Sequence, residues 1–396
     1  MEIEAKTTDS LQLYGTLLAA FCQYIPRANF GDVRRLMVLA WAVVGLCLTE
    51  TVNFSRWGEV VSSHTSYASS HQRRFQGWLY NPRVKPIKCY APLLKAALRE
   101  WPVAQPLYLA LDVSALKNGY ILIRLALVYR GRALPVTWRV MKHDSTSVSY
   151  PDYKILLHQA LWVLPHGRPV VLLADRGFVH AQLVKFCRKN QWGYRLRAKS
   201  NTVVRLPDRQ VANFGKLCPP KGHAHFYQAV HILGEEIGPV NIALANPADE
   251  DDPWYIISND PTGVTTLAEY ALRFDIEEGF LDDKSGGFQV ESSQLDDPEA
   301  IARLFLVLAV ATLHFTSVGV AVVKQNTRRW VDTHWDRGMS YLKIGWRWLR
   351  QQFRKNWPVL PPFGLDPNPD PEPAMASRRQ AAEPKRQWVV SCFGTS

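Results

Sequence analysis

Two aspartates follow apolar segments of the 396-residue chain, each where a buried strand is expected to finish. Asp112 closes the segment LYLALD, and Asp175 closes VVLLAD. At the carboxyl ends of strands in an open α/β sheet, side chains are held rigidly and still reach solvent. Two such carboxylates on neighbouring strands repel each other, so a divalent cation is their natural partner. For either aspartate alone, a turn or capping role is the more common explanation.

A third acidic residue belongs to the helical segment YALRFDIEEGFLDDK, residues 270–284. Four of its polar side chains follow one another at spacings of 3, 4 and 7 residues: Tyr270, Arg273, Glu277 and Lys284. At 100° per residue these four lie within a sector of about 60°, so one helix face is predicted to carry them all. The alternative is a solvated face with an Arg273–Glu277 ion pair. The other acidic residues of the segment are predicted to be solvated: Glu278, Asp282 and Asp283.

The Y-x2-R-x3-E-x6-K spacing of these four residues resembles the signature of the DDE transposases of bacterial insertion sequences, in the insertion-sequence-four group of cut-and-paste enzymes. Asp112 and the motif Asp175-Arg176-Gly177-Phe178 resemble the other two acidic positions of that family, in the same order. The resemblance extends over residues 107–323. It implies a ribonuclease H-like catalytic domain in which Asp112, Asp175 and Glu277 are the catalytic residues and the metal ligands.

The chemistry implied by this resemblance is two-metal phosphoryl transfer. Two Mg²⁺ ions, for which Mn²⁺ can substitute, would lie about 4 Å apart and activate the attacking and leaving oxygens. By their positions in the family, Tyr270, Arg273 and Lys284 are expected to bind DNA phosphates. Trp254 resembles an aromatic residue that begins the corresponding strand in the family, and it is expected to hold an unpaired base by stacking. Burial of Trp254 in the core is the alternative.

The charge distribution also indicates a nucleic-acid partner. The chain has 47 Lys and Arg against 35 Asp and Glu, a net charge of +12. Residues 27–88 and 324–357 concentrate this excess, and five tryptophans are interleaved in the second segment. Basic surfaces of this kind favour a polyanion. The resemblance makes this partner double-stranded DNA, both at the inverted repeats of the element and at its target, and it implies a second copy of the chain in a homodimeric DNA complex.

The order of the strands and helices predicted around these residues indicates a mixed α/β fold. Three antiparallel strands are expected between residues 107 and 140, the last two joined by a tight turn at Arg130-Gly131. Helix, strand, helix and strand follow up to residue 199. With the resemblance, the predicted fold class is α/β: a ribonuclease H-like mixed sheet with a β-rich insertion, preceded by an α-helical N-terminal domain.

Composition shifts divide the chain into six predicted parts. They are a helical DNA-binding domain at 1–100, a catalytic core at 101–199 and 261–323, a β-rich insertion at 200–260, a basic Trp-rich region at 324–357, and a disordered tail at 358–396. The tail is predicted from seven prolines between residues 358 and 373 and the polar residues that follow.

Several classes of protein are excluded by the sequence. Six widely spaced cysteines form no disulfide framework, which indicates a reduced, cytoplasmic protein. Residues 304–323 are long and apolar, but Thr312 and His314 interrupt them, so a buried helix and no membrane partner are predicted. Two alternative functions remain open: a transposase-derived DNA-binding protein without catalysis, and a nuclease of the same fold. The three acidic residues argue against the first, and the Tyr, Arg and Lys beside Glu277 argue against the second.

Overall fold

The computed structural model of the chain describes residues 2–62, 67–234, 236–373 and 387–393. Its helices are α1 (Glu2–Tyr24), α2 (Arg27–Phe30), α3 (Val33–Thr49), α4 (Phe54–Gly58), α5 (Ala68–Leu79), α6 (Pro86–Ala97), α7 (Tyr150–Val163), α8 (Ala181–Lys189), α9 (Val264–Ala271), α10 (Asp275–Leu281), α11 (Pro298–Lys324) and α12 (Tyr341–Leu349). Its strands are β1 (Leu107–Ala115), β2 (Tyr120–Tyr129), β3 (Arg132–Lys142), β4 (Val170–Ala174), β5 (Gly193–Arg197), β6 (Val203–Arg205), β7 (Val211–Asn213), β8 (His223–Ile232), β9 (Ile237–Asn246), β10 (Trp254–Ser258) and β11 (Val389–Phe393).

All of these strands belong to one mixed sheet, in the order β3-β2-β1-β4-β5-β10-β9-β8-β6-β7, with β11 beside β8. The first three strands pair antiparallel, and β4 lies parallel to both β1 and β5. This confirms the predicted fold class, a ribonuclease H-like mixed sheet preceded by helices. Every residue of β4 is buried, which explains the uninterrupted apolar run in its sequence.

The tight turn predicted at Arg130-Gly131 is confirmed by the antiparallel β2–β3 hairpin. Both turn residues have positive φ, 48° at Arg130 and 78° at Gly131. Positive φ at both positions is the requirement of a type I′ turn, whose twist matches that of the flanking strands, and glycine meets it without strain.

The strands between residues 200 and 260 extend the central sheet and do not form a separate one. β10 pairs antiparallel with β5 on one side and with β9 on the other, so the β-rich segment joins the core through backbone hydrogen bonds. The N-terminal helices are also continuous with the core, because Leu17 and Leu39 belong to the same buried cluster as Leu109. The predicted parts of the chain therefore share one hydrophobic core.

Helix α11 runs through the centre of this core. It is the one helix in the described part of the chain that is long and apolar enough to cross a membrane, and 94% of its most apolar window is buried inside the protein. This confirms the buried helix predicted at 304–323. Thr312, His314, Thr316 and Ser317 are buried with it.

The prediction of a disordered tail at 358–396 is wrong for its described residues. Leu360, Phe363 and Leu365 are buried, and the Leu365 N–H donates to the carbonyl of Ala97 in α6. A proline-rich chain lacks internal hydrogen bonds, so its order here comes from apolar burial and from ion pairs with the folded body. Those pairs join acidic residues of the segment to buried arginines: Asp366 to Arg130, Asp370 to Arg337 and Glu372 to Arg328. Further along, β11 pairs parallel with β8.

One contact of the proline-rich segment predicts a pH dependence of stability. The His314 Nδ1 atom lies 2.9 Å from the Pro362 carbonyl oxygen. Burial lowers the pKa of His314 to about 4, against the opposing effect of this hydrogen bond. The unfolded chain binds a proton at this imidazole below about pH 6.5, so between pH 6.5 and 4 it holds more protons than the folded chain. Stability should therefore fall as the pH drops through this window, by up to about 3 kcal/mol from His314 alone.

Urea unfolding of the wild-type protein and of His314→Gln at pH 7.5 and pH 4.5 checks this prediction. The variant should lose less stability than the wild type between the two pH values, because glutamine does not titrate. Equal losses in the two proteins would show that another group controls the acid transition.

Candidate active site

The two strand-borne aspartates lie side by side, as predicted. The parallel register of β1 and β4 pairs Leu111 with Ala174, which places the next residues, Asp112 and Asp175, at the same edge of the sheet. The structure differs from the prediction in one respect, because β1 continues past Asp112 to Ala115 through its pairing with β2. Asp112 therefore lies inside a strand, and its Oδ1 atom accepts a hydrogen bond from the Val113 N–H at 2.8 Å.

The segment that carries Glu277 is helical but not uniform. It consists of α9, a 3₁₀ turn at Leu272–Phe274, α10 and a π-helical turn at Asp282–Gly286. The prediction of one face at 100° per residue holds for the part of the segment that reaches the strand aspartates, from Tyr270 to Glu277. Lys284 lies beyond it, in the π-helical turn.

Arg273 joins the helical segment to the sheet. Its Nη1 atom donates to Asp112 Oδ2 at 3.1 Å, and its Nη2 atom donates to Glu277 Oε1 at 3.0 Å. The Arg273 side chain is only 5% exposed, whereas that of Glu277 is 54% exposed. Tyr270 adds a longer contact, 3.5 Å from its hydroxyl to Asp175 Oδ1. One guanidinium therefore joins the carboxylates of β1 and α10, and a phenol from the same helical segment contacts the carboxylate that follows β4.

Burial is the main cause of the pKa shifts of Asp112 and Tyr270 in this site. It raises the pKa of the Asp112 carboxyl to about 6, against the opposing effect of Arg273, while the nearby charges of Asp175 and Glu277 add to the rise. Burial likewise raises the pKa of the Tyr270 phenol to about 12. At neutral pH, Asp112 is therefore mainly ionised and Tyr270 is neutral, so the site combines acidic oxygens with a hydroxyl donor.

The three carboxylates have the donor chemistry that divalent cations prefer, because hard oxygen ligands suit Mg²⁺ and Mn²⁺. Asp112 and Glu277 are close enough to share one guanidinium, and Asp112 and Asp175 are coupled electrostatically. In the part of the chain described, no three acidic, histidine or cysteine side chains converge at ligand distance as they stand. Arg273 lies between Asp112 and Glu277, so ion binding would require it to withdraw from at least one of them.

Three of the residues expected to bind DNA do not reach the surface. Tyr270, Arg273 and Trp254 are all buried, and Trp254 is 3% exposed. The Trp254 indole packs 5.5 Å from the Tyr270 ring and its Nε1 donates to Glu250 Oε2 at 3.0 Å. The expectation that Trp254 presents an exposed ring for a base is wrong here, and the buried alternative holds, because the cluster around Ala224 and Phe226 covers it.

The burial of Trp254 predicts a cost in stability when it is changed. Trp254→Phe removes the hydrogen bond to Glu250 and part of the packing, so the free energy of unfolding should fall by about 1–2 kcal/mol. Trp162→Phe is the matched control, because Trp162 is 40% exposed on α7 and should change little. Urea unfolding measures both, and an unchanged midpoint for Trp254→Phe would contradict the assignment to the core.

Two buried ion pairs beside Glu277 were not predicted. Asp282 and Asp283, expected in solvent, are buried; Arg132 Nε lies 2.9 Å from Asp282 Oδ2, and Arg124 binds Asp283. Burial raises the pKa of Asp283, while Arg124 opposes the rise. Arg124 is also the cross-strand neighbour of Asp112 in the β1–β2 ladder. The sequence contained one signal for the Arg124–Asp283 pair. Arg124 lies inside the apolar strand YILIRLALVY, and a buried guanidinium needs a buried carboxylate.

The acidic loop before β10 also reaches this edge of the sheet. Asp252 forms ion pairs with Arg176, which follows Asp175, and with Arg197 of β5 at 2.8 Å. The Nε atom of Arg176 in turn lies 3.9 Å from Asp175 Oδ1. No periodicity in the sequence predicts the ion pairs of Asp252, because Asp252 is far along the chain from both Arg176 and Arg197.

In the basic segment 324–357, five of the nine Lys and Arg side chains are already paired with carboxylates. They are Lys324, Arg328, Arg337, Arg350 and Arg354, whose partners include Asp366, Glu372, Asp370, Glu50 and Asp9. The tryptophans of this segment differ in exposure: Trp330 and Trp335 are exposed, whereas Trp346 and Trp348 are buried. They are buried because α12 packs closely on α11, where a Cβ atom at Gly345 would come within 1.8 Å of the Phe315 carbonyl oxygen.

Comparison with known proteins gives one family match. Residues 122–313, just under half of the chain, match the family described as Transposase DDE domain. The match contains Asp175 and Glu277 and begins ten residues after Asp112. No curated protein is detectably similar to the chain in sequence. Among solved structures, a cryo-EM structure of a piggyBac transposase synaptic complex with hairpin DNA is similar with a TM-score of 0.42 and 10% identity, covering 89% of this chain and 80% of that chain.

Proposed function

We propose that this protein is a DDE transposase that moves an insertion sequence by metal-dependent cut-and-paste transposition. The observation that carries the proposal is that the buried guanidinium of Arg273 bridges Asp112 and Glu277, while the pairing of β1 with β4 brings Asp175 to the same edge of the sheet. The match of residues 122–313 to a transposase DDE domain supports it. The spacing from Tyr270 to Lys284 favours the insertion-sequence-four group within those enzymes.

The three carboxylates would hold the metal ions of this reaction. Two bound Mg²⁺ or Mn²⁺ ions supply Lewis-acid activation of water or a 3′-hydroxyl group and stabilisation of the leaving oxygen. The pairing of β1 with β4 fixes the backbone up to Asp112 and Asp175, so the two carboxylates start from neighbouring positions. Glu277 is half exposed on α10 and can rotate toward them. The tyrosine hydroxyl near Asp175 orients that carboxylate.

Arg273 has a second role in this proposal. Its two terminal nitrogens, Nη1 and Nη2, each donate to a carboxylate, so if these carboxylates bound cations the guanidinium would become available to a DNA phosphate, for which its planar fork is suited. Lys284 is half-buried in the next turn and would add a further positive charge. The phosphate-binding roles of Tyr270 and Arg273 therefore require local opening of the site.

We infer double-stranded DNA as the partner, bound in part by the helical region 1–100 and by the cations of segment 324–357 that form no ion pair with a carboxylate among the described residues. An insertion sequence has two ends and each chain carries one acidic site. Two copies are therefore expected to meet on the DNA.

The test is incubation of the purified protein with Mg²⁺ and with DNA that carries the inverted repeats flanking its gene, followed by mapping of the broken phosphodiester bonds. A transposase cuts at the repeat ends, and its activity disappears with a chelator and returns with Mg²⁺ or Mn²⁺. Binding without any cut would favour the non-catalytic DNA-binding protein. Cutting that ignores the repeats would favour a nuclease of the same fold.

A further inference from the structure

Two large aromatic rings are exposed in the loop that follows α11. Trp335 is 76% exposed and Trp330 is 51% exposed, more than any other tryptophan in the described residues. Tryptophans are usually mostly buried, because exposing an indole to water costs free energy. Two such rings, five residues apart, indicate a surface that another molecule covers.

Buried arginine side chains hold the loop that carries these rings in place. The buried guanidinium of Arg328 donates to the carbonyls of His334 and Trp335, at 2.9 and 2.8 Å, and pairs with Asp332. It also binds Glu372 of the proline-rich segment, and Arg337 binds Asp370 of the same segment. The exposed rings therefore stand on a preorganised loop, and a ligand would lose little free energy in ordering it.

Cations accompany the rings. The exposed Arg329 guanidinium lies 4.1 Å from the centroid of the Trp335 ring. Trp330 stacks on the buried Trp348 with an interplanar angle of 15°, and it also contacts Trp357, over which the exposed Lys355 lies at 5.0 Å. An aromatic stack flanked by positive charge combines the two features that bind single-stranded nucleic acid: π-faces for bases and cations for the backbone.

We propose that Arg329, Trp330 and Trp335 form a stacking surface for unpaired bases of single-stranded DNA. Duplex DNA would engage the cations, but its bases are already stacked and leave the indoles exposed. A protein partner or a second copy would cover the indoles but would gain little from the flanking charges. The proposal rests on the proposed function in naming DNA, and it places an unpaired stretch of the substrate on this loop.

The test compares a 20-nucleotide single strand of mixed sequence with the same sequence as a blunt duplex, by fluorescence anisotropy on the full chain without metal. Trp335→Ala and Trp330→Ala should each weaken single-strand binding by about tenfold, since one stacked base is lost in each case. Their duplex affinity should stay within about twofold of the wild type. Trp335→Phe should keep most of the single-strand affinity, and Trp162→Ala, at another exposed tryptophan, should keep all of it.

Single-strand binding by Trp335→Ala and Trp330→Ala at wild-type affinity overturns the proposal. If the same variants instead abolish self-association in light scattering and leave single-strand binding intact, the surface is an interface between copies and the proposal is also wrong. The thermal midpoint of each variant shows that it is folded. Because this assay needs no cleavage, selective loss of single-strand binding upholds the surface even if the protein cuts no DNA.

Discussion

Replacing Asp112, Asp175 or Glu277 with the corresponding amide is expected to reduce DNA cleavage by a factor on the order of a thousand or more. Each substitution removes one of the three proposed carboxylate ligands and leaves a group that binds divalent cations weakly. DNA binding should change little, because the basic surfaces proposed to contact the phosphates are unchanged. End-labelled repeat DNA in Mg²⁺ measures cleavage, and anisotropy measures binding.

Unfolding does not account for the expected loss at Asp112. Burial raises the pKa of this carboxyl to about 6, so holding its charge in the folded protein at pH 7.5 destabilises the fold. Asp112→Asn removes that charge, and its thermal midpoint should be equal to or above that of the wild type. Asp208→Asn, at an exposed aspartate of the β6–β7 turn, is the control with unchanged activity. Cleavage at wild-type rate by any one of the three amide variants would show that the acidic set is misassigned.

Breaking the buried Arg124–Asp283 pair is expected to give the largest loss of stability. Arg124→Met leaves the carboxylate of Asp283 buried without its partner, which costs about 3–5 kcal/mol. The Arg124 side chain also packs on two aromatic rings, with its guanidinium 5.0 Å from the Phe280 centroid and 5.6 Å from that of Phe305. Methionine fills much of that volume, so the missing charge should dominate the effect.

A double variant separates the lost charge from the lost packing. Arg124→Met combined with Asp283→Leu removes both charges and should recover most of the stability, because replacing a whole buried pair with apolar groups is often neutral. Arg34→Met, at the exposed pair with Asp32, should leave the unfolding midpoint nearly unchanged. If Arg124→Met unfolds at the wild-type urea concentration, the pair does not hold the π-helical turn after α10 against the sheet.

The local elements of the sheet could be predicted because short-range patterns determine them. The run before Asp175 is apolar at every position since β4 is covered on both faces, and the Arg130-Gly131 turn follows from the conformations that its two residues accept. The adjacency of Asp112 and Asp175 also follows from sequence, once the apolar runs that precede them are placed as neighbouring strands of one parallel sheet, although β1 continues beyond Asp112.

The partners of the long polar side chains could not be predicted, because they come from distant parts of the chain. Arg124 and Asp283 are separated by 159 positions, and Arg328 and Glu372 by 44. Asp283, Arg328 and Glu372 were each compatible with solvent in their own segments, and only Arg124 lay inside an apolar strand. Only the packing of α10 against β2, and of the proline-rich segment against the loop after α11, removed these charges from water and paired them.

The sequence by itself determined where Asp112, Asp175 and Glu277 lie in the chain and which elements carry them, since strand alternation and helix periodicity are local properties. The tertiary structure alone decided which side chains are covered. It buried Trp254, Tyr270 and Arg273, ordered a proline-rich segment that composition describes as disordered, and left Trp330 and Trp335 in water. Burial depends on the surfaces that meet after folding, and composition does not contain that information.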